Sequence, residues 1–153
     1  MNTEYLTQEK FDEFKKELEY LKHEKRTEIA QALEYAKSLG DLSENAEYHE
    51  ARNAQAVAED RINHLEAVLK SAQIVSGHNV DKVAVGSEIT IQKEGEHAKK
   101  TISIVGSEES NASEGKISLR SPLGSAALGK KKGEHFSFST PSGTMTYKVI
   151  EIK

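Results

Sequence analysis

Glycine and proline are spread very unevenly along this chain, and that constrains the fold more than any other feature. Residues 1–76 contain one glycine, Gly40, and no proline. Residues 77–153 contain the other nine glycines and both prolines. An interior glycine costs a helix about 1 kcal/mol and a proline about 3 kcal/mol. Their absence permits long helices, and their recurrence marks short elements joined by turns. Charge divides the same way, net −6 over residues 1–76 and net +2 over residues 77–153. Two domains are expected, 1–76 and 77–153, with the boundary near Gly77-His78-Asn79.

Apolar residues in the first half recur at helical spacing. Phe11, Phe14, Leu18 and Leu21 are three, four and three apart. After the polar stretch His23 to Arg26, the stripe resumes at Ile29, Leu33 and Ala36. The restart is one residue out of phase, so the heptad is imperfect. Beyond Gly40, Ala51, Ala58, Leu65 and Ala72 stand seven apart, with Ala54, Ile62 and Leu69 between them. A stripe this narrow suits one partner helix. Gly40 sits midway between the two stripes and can end the first helix in the left-handed conformation. The expected structure is a long antiparallel helical hairpin, its first arm running from Thr7 to Leu39, about 50 Å at 1.5 Å per residue. The alternative is a coiled coil between two chains; a monomer is expected.

The second half alternates with period two. Ile89 and Ile91, Ile102 and Ile104, Ile117 and Leu119, and Phe136 and Phe138 each predict a strand with one buried face. Thr140-Pro141-Ser142-Gly143-Thr144 predicts a turn and Met145 to Ile152 the return strand. Ser121-Pro122 before Leu123 to Leu128, closed by Gly129, predicts a short capped helix. The fold class is α+β: a helical hairpin followed by a small, mostly antiparallel sheet domain carrying one helix.

Several function classes are excluded. No apolar run approaches the roughly 18 residues of a membrane span, and the first residues lack the basic start and apolar stretch of a signal peptide. The chain has no cysteine, which removes disulfides, thiolate zinc sites and cysteine nucleophiles. A cytoplasmic protein is expected. Histidines 23, 49, 64, 78, 97 and 135 form no zinc-hydrolase pair, and no phosphate loop or nucleophile elbow is present. The Lys130-Lys131-Lys132 run reads equally as a solvated turn or a contact with an acidic partner.

A long arm implies reach, and its tip decides what it does. Gly40-Asp41-Leu42-Ser43-Glu44-Asn45-Ala46-Glu47-Tyr48 carries three carboxylates and no Lys or Arg. Asp41 and Glu44 have the Asp-x-x-Glu spacing of a helix-capping box, and anions suit a helix N-terminus. They also suit a hard cation, since Mg²⁺ takes one or two protein carboxylates and fills its shell with water and phosphate oxygens. Two carboxylates make an incomplete site, which another molecule would have to finish.

The run from Gly40 through Tyr48 and on to Arg52 resembles the hairpin-tip signature of the bacterial Gre transcript cleavage factors. Ser121-Pro122-Leu123-Gly124-Ser125-Ala126-Ala127-Leu128-Gly129-Lys130 resembles the C-terminal signature of the same family. The resemblance spans nearly the whole chain. It implies a C-terminal domain similar to the FKBP fold, docked on RNA polymerase through the segment bearing Ser121, Pro122, Leu123 and Lys130. It implies a hairpin that runs down the secondary channel toward the catalytic centre. It implies a factor that is no enzyme itself and that stimulates polymerase to cleave the 3′ end of backtracked RNA, rescuing arrested complexes. Asp41 and Glu44 would then help hold Mg²⁺ jointly with polymerase and orient the attacking water. Arg52 and Lys37 would face the nascent RNA, and Asn45 and Tyr48 would contact RNA or stiffen the turn. A non-cleaving channel-binding regulator shares the fold and differs at the tip. A prolyl isomerase is disfavoured, because Phe136, Phe138 and Tyr147 are few and two of them alternate as core residues do. Gly124 and Ser125 depart from the bulkier or basic residues of many relatives, and the triple lysine is more basic than is usual.

Overall fold

The computed structural model describes residues 3–75 and 80–153, so the expected boundary at Gly77-His78-Asn79 lies outside the described residues. The chain divides into two compact units. One is Phe11–Ser71, and the other combines residues on both sides of it.

The helical unit is an antiparallel hairpin within one chain. Helix α1 spans Gln8–Tyr20, α2 Arg26–Ser38 and α3 Ala46–Ser71. At 1.5 Å per residue α3 alone is about 39 Å long. Phe14, Ile29 and Ala36 from the first arm and Ala51, Ala58, Ile62, Leu65 and Val68 from the second are buried. Val68 takes the buried place expected for Leu69, which is half-buried. Alanines at Ala36, Ala51 and Ala58 leave little side chain between the arms, and ion pairs flank the seam. Arg26 grips Glu59 with two bonds of 2.8 and 2.9 Å, and Arg61 grips Glu17 with two of 2.7 and 2.9 Å. Lys22 lies 3.7 Å from Glu66. Arg61 also lies over the Phe14 ring at 5.5 Å. The Arg26 bonds hold the Glu59 carboxyl below its ordinary value, and the same pairing raises Arg26.

The phase slip in the first arm has a structural cause. Between α1 and α2 the helix widens to a π-turn over Leu21–Lys25, and the Arg26 N–H reaches the Leu21 carbonyl five residues back. A π-turn absorbs one extra residue. Phe14 and Ile29 are fifteen apart, two heptads plus one, and both are buried.

The other unit holds a five-stranded sheet and a separate strand pair. Strands β1, Glu4–Leu6, and β2, Ala72–Ile74, pair in parallel. Neither strand was expected, since three residues show no period, and β2 withdraws Ala72 from the helical stripe. A parallel pair needs a long crossover, and here the whole hairpin provides it. Leu6 is fully buried. A Cβ on Gly106 would fall 1.9 Å from the Tyr5 carbonyl oxygen, so only glycine lets β1 approach. The Thr7 N–H and hydroxyl both donate to Glu109, at 2.9 and 3.0 Å.

The sheet order is β5-β4-β3-β7-β6, with β3 Glu88–Lys93, β4 Lys99–Val105, β5 Lys116–Ser118, β6 His135–Thr140 and β7 Gly143–Ile152. The β4–β5 pair is parallel and the others antiparallel, so the sheet is mixed. Two short 3₁₀ turns between Ser107 and Glu114 carry the chain across and produce that reversal. Leu119 falls one residue past β5. Ile89, Ile91, Ile102, Ile104 and Val149 form the buried face, closed by Phe136 and Tyr147 stacked 5.9 Å apart. Helix α4, Pro122–Ala127, packs on this core through Ala127. No helix among the described residues is long and apolar enough to cross a membrane.

Candidate functional site at the hairpin tip

The turn between α2 and α3 is built by its own side chains. α2 closes with bonds from the Leu39 N–H to the Ala36 carbonyl, 3.1 Å, and from the Gly40 N–H to the Lys37 carbonyl, 3.4 Å. Gly40 then takes φ +107°, where a side chain is strained. Asp41 does not cap α3. Its Oδ1 accepts from the Ser43 N–H at 3.1 Å and the Ser43 hydroxyl at 2.8 Å, a local Asx turn.

The cap belongs to Asn45. Its Oδ1 accepts from the Tyr48 N–H at 3.0 Å, and its Nδ2 donates across the hairpin to the Ala36 carbonyl at 2.6 Å. This corrects the Asp41/Glu44 capping box: α3 begins at Ala46, so Asn45 occupies the position that box assigned to Asp41. Glu44 consequently precedes the cap. Among the described residues, no group donates to or pairs with its carboxylate, and no cation pairs with Asp41. All four residues from Asp41 to Glu44 are exposed, and Leu39 and Leu42 beside them are 52% and 40% exposed.

The remaining tip residues lie on the flanking helices. Lys37 is in the last turn of α2, and Arg52, in α3, donates to Gln55 at 2.8 Å. No described carboxylate pairs with either, so both cations are available to an anion from outside. Tyr48 is half-buried, its ring edge-on to His49 at 5.8 Å. His49 meets the Ser43 carbonyl through Nε2 at 3.2 Å. Histidine spacing alone does not show this contact, because it joins a loop carbonyl to a residue six positions on. The Asp-x-Ser spacing is a sequence signal for the Asx turn; the His49 contact depends on the loop's path.

Asp41 and Glu44 in the turn are both exposed carboxylates, hard oxygen donors of the type Mg²⁺ takes. Among the described residues, no group of three or more His, Asp or Glu side chains could hold a metal ion. The donor set therefore fits part of a shell.

The second motif splits into structural and exposed residues. The Ser121 hydroxyl accepts from the Gly124 N–H at 3.0 Å and donates to the Ser118 carbonyl at 2.7 Å, capping α4. Pro122 fills the first turn and is exposed, whereas Leu123 is half-buried against the core. The glycine at 124 has a local cause, since a Cβ there would lie 2.1 Å from the Ser118 carbonyl oxygen. The Lys130 carbonyl accepts from the Val83 N–H at 2.8 Å, which fixes the loop that starts the triple lysine.

Comparison with known proteins agrees across both units. Residues 4–74 match the family model for the N-terminal domain of transcription elongation factors, and residues 78–153 that for the GreA/GreB C-terminal domain. The transcription elongation factor GreA of Roseiflexus sp. (strain RS-1) is 44% identical over 151 residues, covering 97% of this chain and 96% of that one. GreA of Streptococcus sanguinis (strain SK36) is 40% identical over 150 residues, covering 97% and 94%. The crystal structure of GreA factor homolog 1 of Thermus thermophilus aligns over 99% of both chains, with 25% identity and a TM-score of 0.46. The chain belongs to the GreA/GreB family of transcription elongation factors.

Proposed function

We propose that this chain binds RNA polymerase, presents its hairpin tip to the polymerase catalytic centre and stimulates cleavage of the 3′ end of backtracked RNA, with no enzymatic activity of its own. The observation that carries this reading is the exposure of Asp41 and Glu44 at the end of a long hairpin with no cationic partner among the described residues. Unpaired carboxylates cost nothing in water, but beside an RNA phosphate they repel unless a cation lies between. Asp41 and Glu44 would hold Mg²⁺ jointly with polymerase. A Mg²⁺ ion so bound supplies charge stabilisation and lowers the pKa of a coordinated water. The chain's own part is to deliver two ligands on a stiff support, accept a hydrogen bond from the attacking water and leave when cleavage is done.

Lys37 and Arg52 lie on the two arms beside the tip and would meet RNA phosphates, contacts that weaken with salt. The docking segment would use Pro122 and Lys130 as contact residues. Ser121 and Leu123 hold its shape through the cap and the core contact described above.

The test is RNA shortening in a stalled, backtracked complex. The parent chain should shorten the transcript, and Asp41→Asn or Glu44→Gln should slow this by roughly a hundredfold or more, the scale for losing a charge-stabilising group, while polymerase binding persists. Slower elongation without shortening by the parent would favour a non-cleaving regulator. Parental activity in both variants would remove the assigned chemistry.

A further inference from the structure

The tip carries a short chain of bonds that runs through Ser43. On one side its N–H and hydroxyl both donate to Asp41 Oδ1, at 3.1 and 2.8 Å. On the other its carbonyl meets His49 Nε2 at 3.2 Å. The Ser43 carbonyl can only accept, so the imidazole must carry its proton on Nε2 to bond there. Two consequences follow. Asp41 Oδ1 is occupied twice, and Oδ2 receives no bond from any described residue. Ser43, which supplies both donors, is anchored through its own carbonyl by a side chain of α3 six residues on.

We infer that His49 and Ser43 are positioning residues for Asp41: His49 holds Ser43 through its carbonyl, and Ser43 fixes the carboxylate so that Oδ2 is left to face outward as a ligand for a divalent cation. The inference rests on the reading of Asp41 as a cation ligand given above. The chemistry favours it over mere loop stiffening. Asn45 already ties the turn to both helices through the Tyr48 N–H and the Ala36 carbonyl. The Ser43 bonds add little to that closure, but they decide which way one carboxylate points. Hydrogen-bonded neighbours that orient a metal ligand commonly affect metal affinity. Mg²⁺ is sensitive to such orientation, because it tolerates little departure from octahedral geometry.

The experiment uses the full-length chain with polymerase stalled on backtracked RNA, titrated with Mg²⁺. His49→Phe keeps an aromatic ring against Tyr48 and removes the N–H. Ser43→Ala removes the hydroxyl, and Ser43→Thr retains it. The Mg²⁺ concentration for half-maximal cleavage should rise roughly tenfold or more in His49→Phe and Ser43→Ala, the scale of losing a metal ligand's hydrogen-bonded support. The maximal rate at saturating Mg²⁺ and the affinity for polymerase should stay within twofold, and Ser43→Thr should match the parent. In the isolated chain, amide hydrogen exchange at Ser43 should speed up in His49→Phe. An unchanged Mg²⁺ requirement in His49→Phe would overturn the inference. So would cleavage loss that follows a lower melting temperature without a change in Mg²⁺ requirement, or failure of Ser43→Thr to restore the parental value. If Asp41→Asn removes cleavage while the Ser43 and His49 variants behave as the parent, only this inference fails. If Asp41→Asn itself cleaves normally, the proposed function fails instead.

Discussion

The stem and the tip of the hairpin use the same charged residues in opposite ways. Three stem acids are answered across the hairpin: Glu17 by Arg61, Glu59 by Arg26, Glu66 by Lys22. At the tip, Asp41 and Glu44 have no described cationic partner, and Lys37 and Arg52 beside them have no described carboxylate. Pairing in the stem fixes the register of two arms whose seam is partly alanine. The absence of pairing at the tip leaves charge for another molecule to complete. Exposed pairs contribute little stability individually, so the stem pairs act mainly on register.

The comparison predicts a graded set of outcomes. The largest should come from the tip. Asp41→Asn combined with Glu44→Gln should lower the rate of RNA shortening by two orders of magnitude or more, with a melting curve like the parent's by circular dichroism. A melting temperature that falls instead would mean these acids serve the fold, as the stem acids do. Next comes the seam. Leu65→Ala, at a fully buried position, should cost about 2–5 kcal/mol in denaturant titration, and cleavage should fall only as the folded fraction falls. Smaller still is the cap: Asn45→Ala should cost about 1 kcal/mol, and Asn45→Asp, which keeps the acceptor but sets a carboxylate oxygen against the Ala36 carbonyl, should recover only part of it. The smallest effect should be the pH response of one stem pair. Arg26 holds Glu59 below its ordinary value. The pair's contribution is therefore complete above the unfolded carboxylate value of about 4.3 and is lost as pH falls through the lower folded value. Glu59→Gln should flatten that acid-side slope in melting temperature and leave the neutral-to-alkaline side unchanged.

Much of this was legible in the sequence, and the limits were local. The Gly40 break, the alternating isoleucines of the sheet and the Ser121-Pro122 cap all showed, because each is a periodic pattern or a residue with one strong backbone preference. The one-residue slip after Leu21 was legible as a fault in the heptad; that a π-turn absorbs it was not, since helix width leaves no composition signal. The parallel β1–β2 pair escaped because its partners are three residues long and separated by the whole hairpin. At the tip, the family resemblance singles out Asp41 and Glu44 as the candidate pair, and spacing alone put a capping box on them. Asn45 competes for the same role, and only the path of the turn shows that it wins. His49 was invisible for the same reason, since its partner is a backbone carbonyl that exists only once the loop is folded.

The most direct test sets one acid from each region side by side. Asp41→Asn and Glu59→Gln each remove a single exposed or half-exposed carboxylate charge. Both should be measured for cleavage of backtracked RNA and for thermal stability across acid pH. Asp41→Asn should lose cleavage and keep the parental stability profile, and Glu59→Gln should keep cleavage and change only the acid side of that profile. Equal cleavage by the two variants would contradict this expectation.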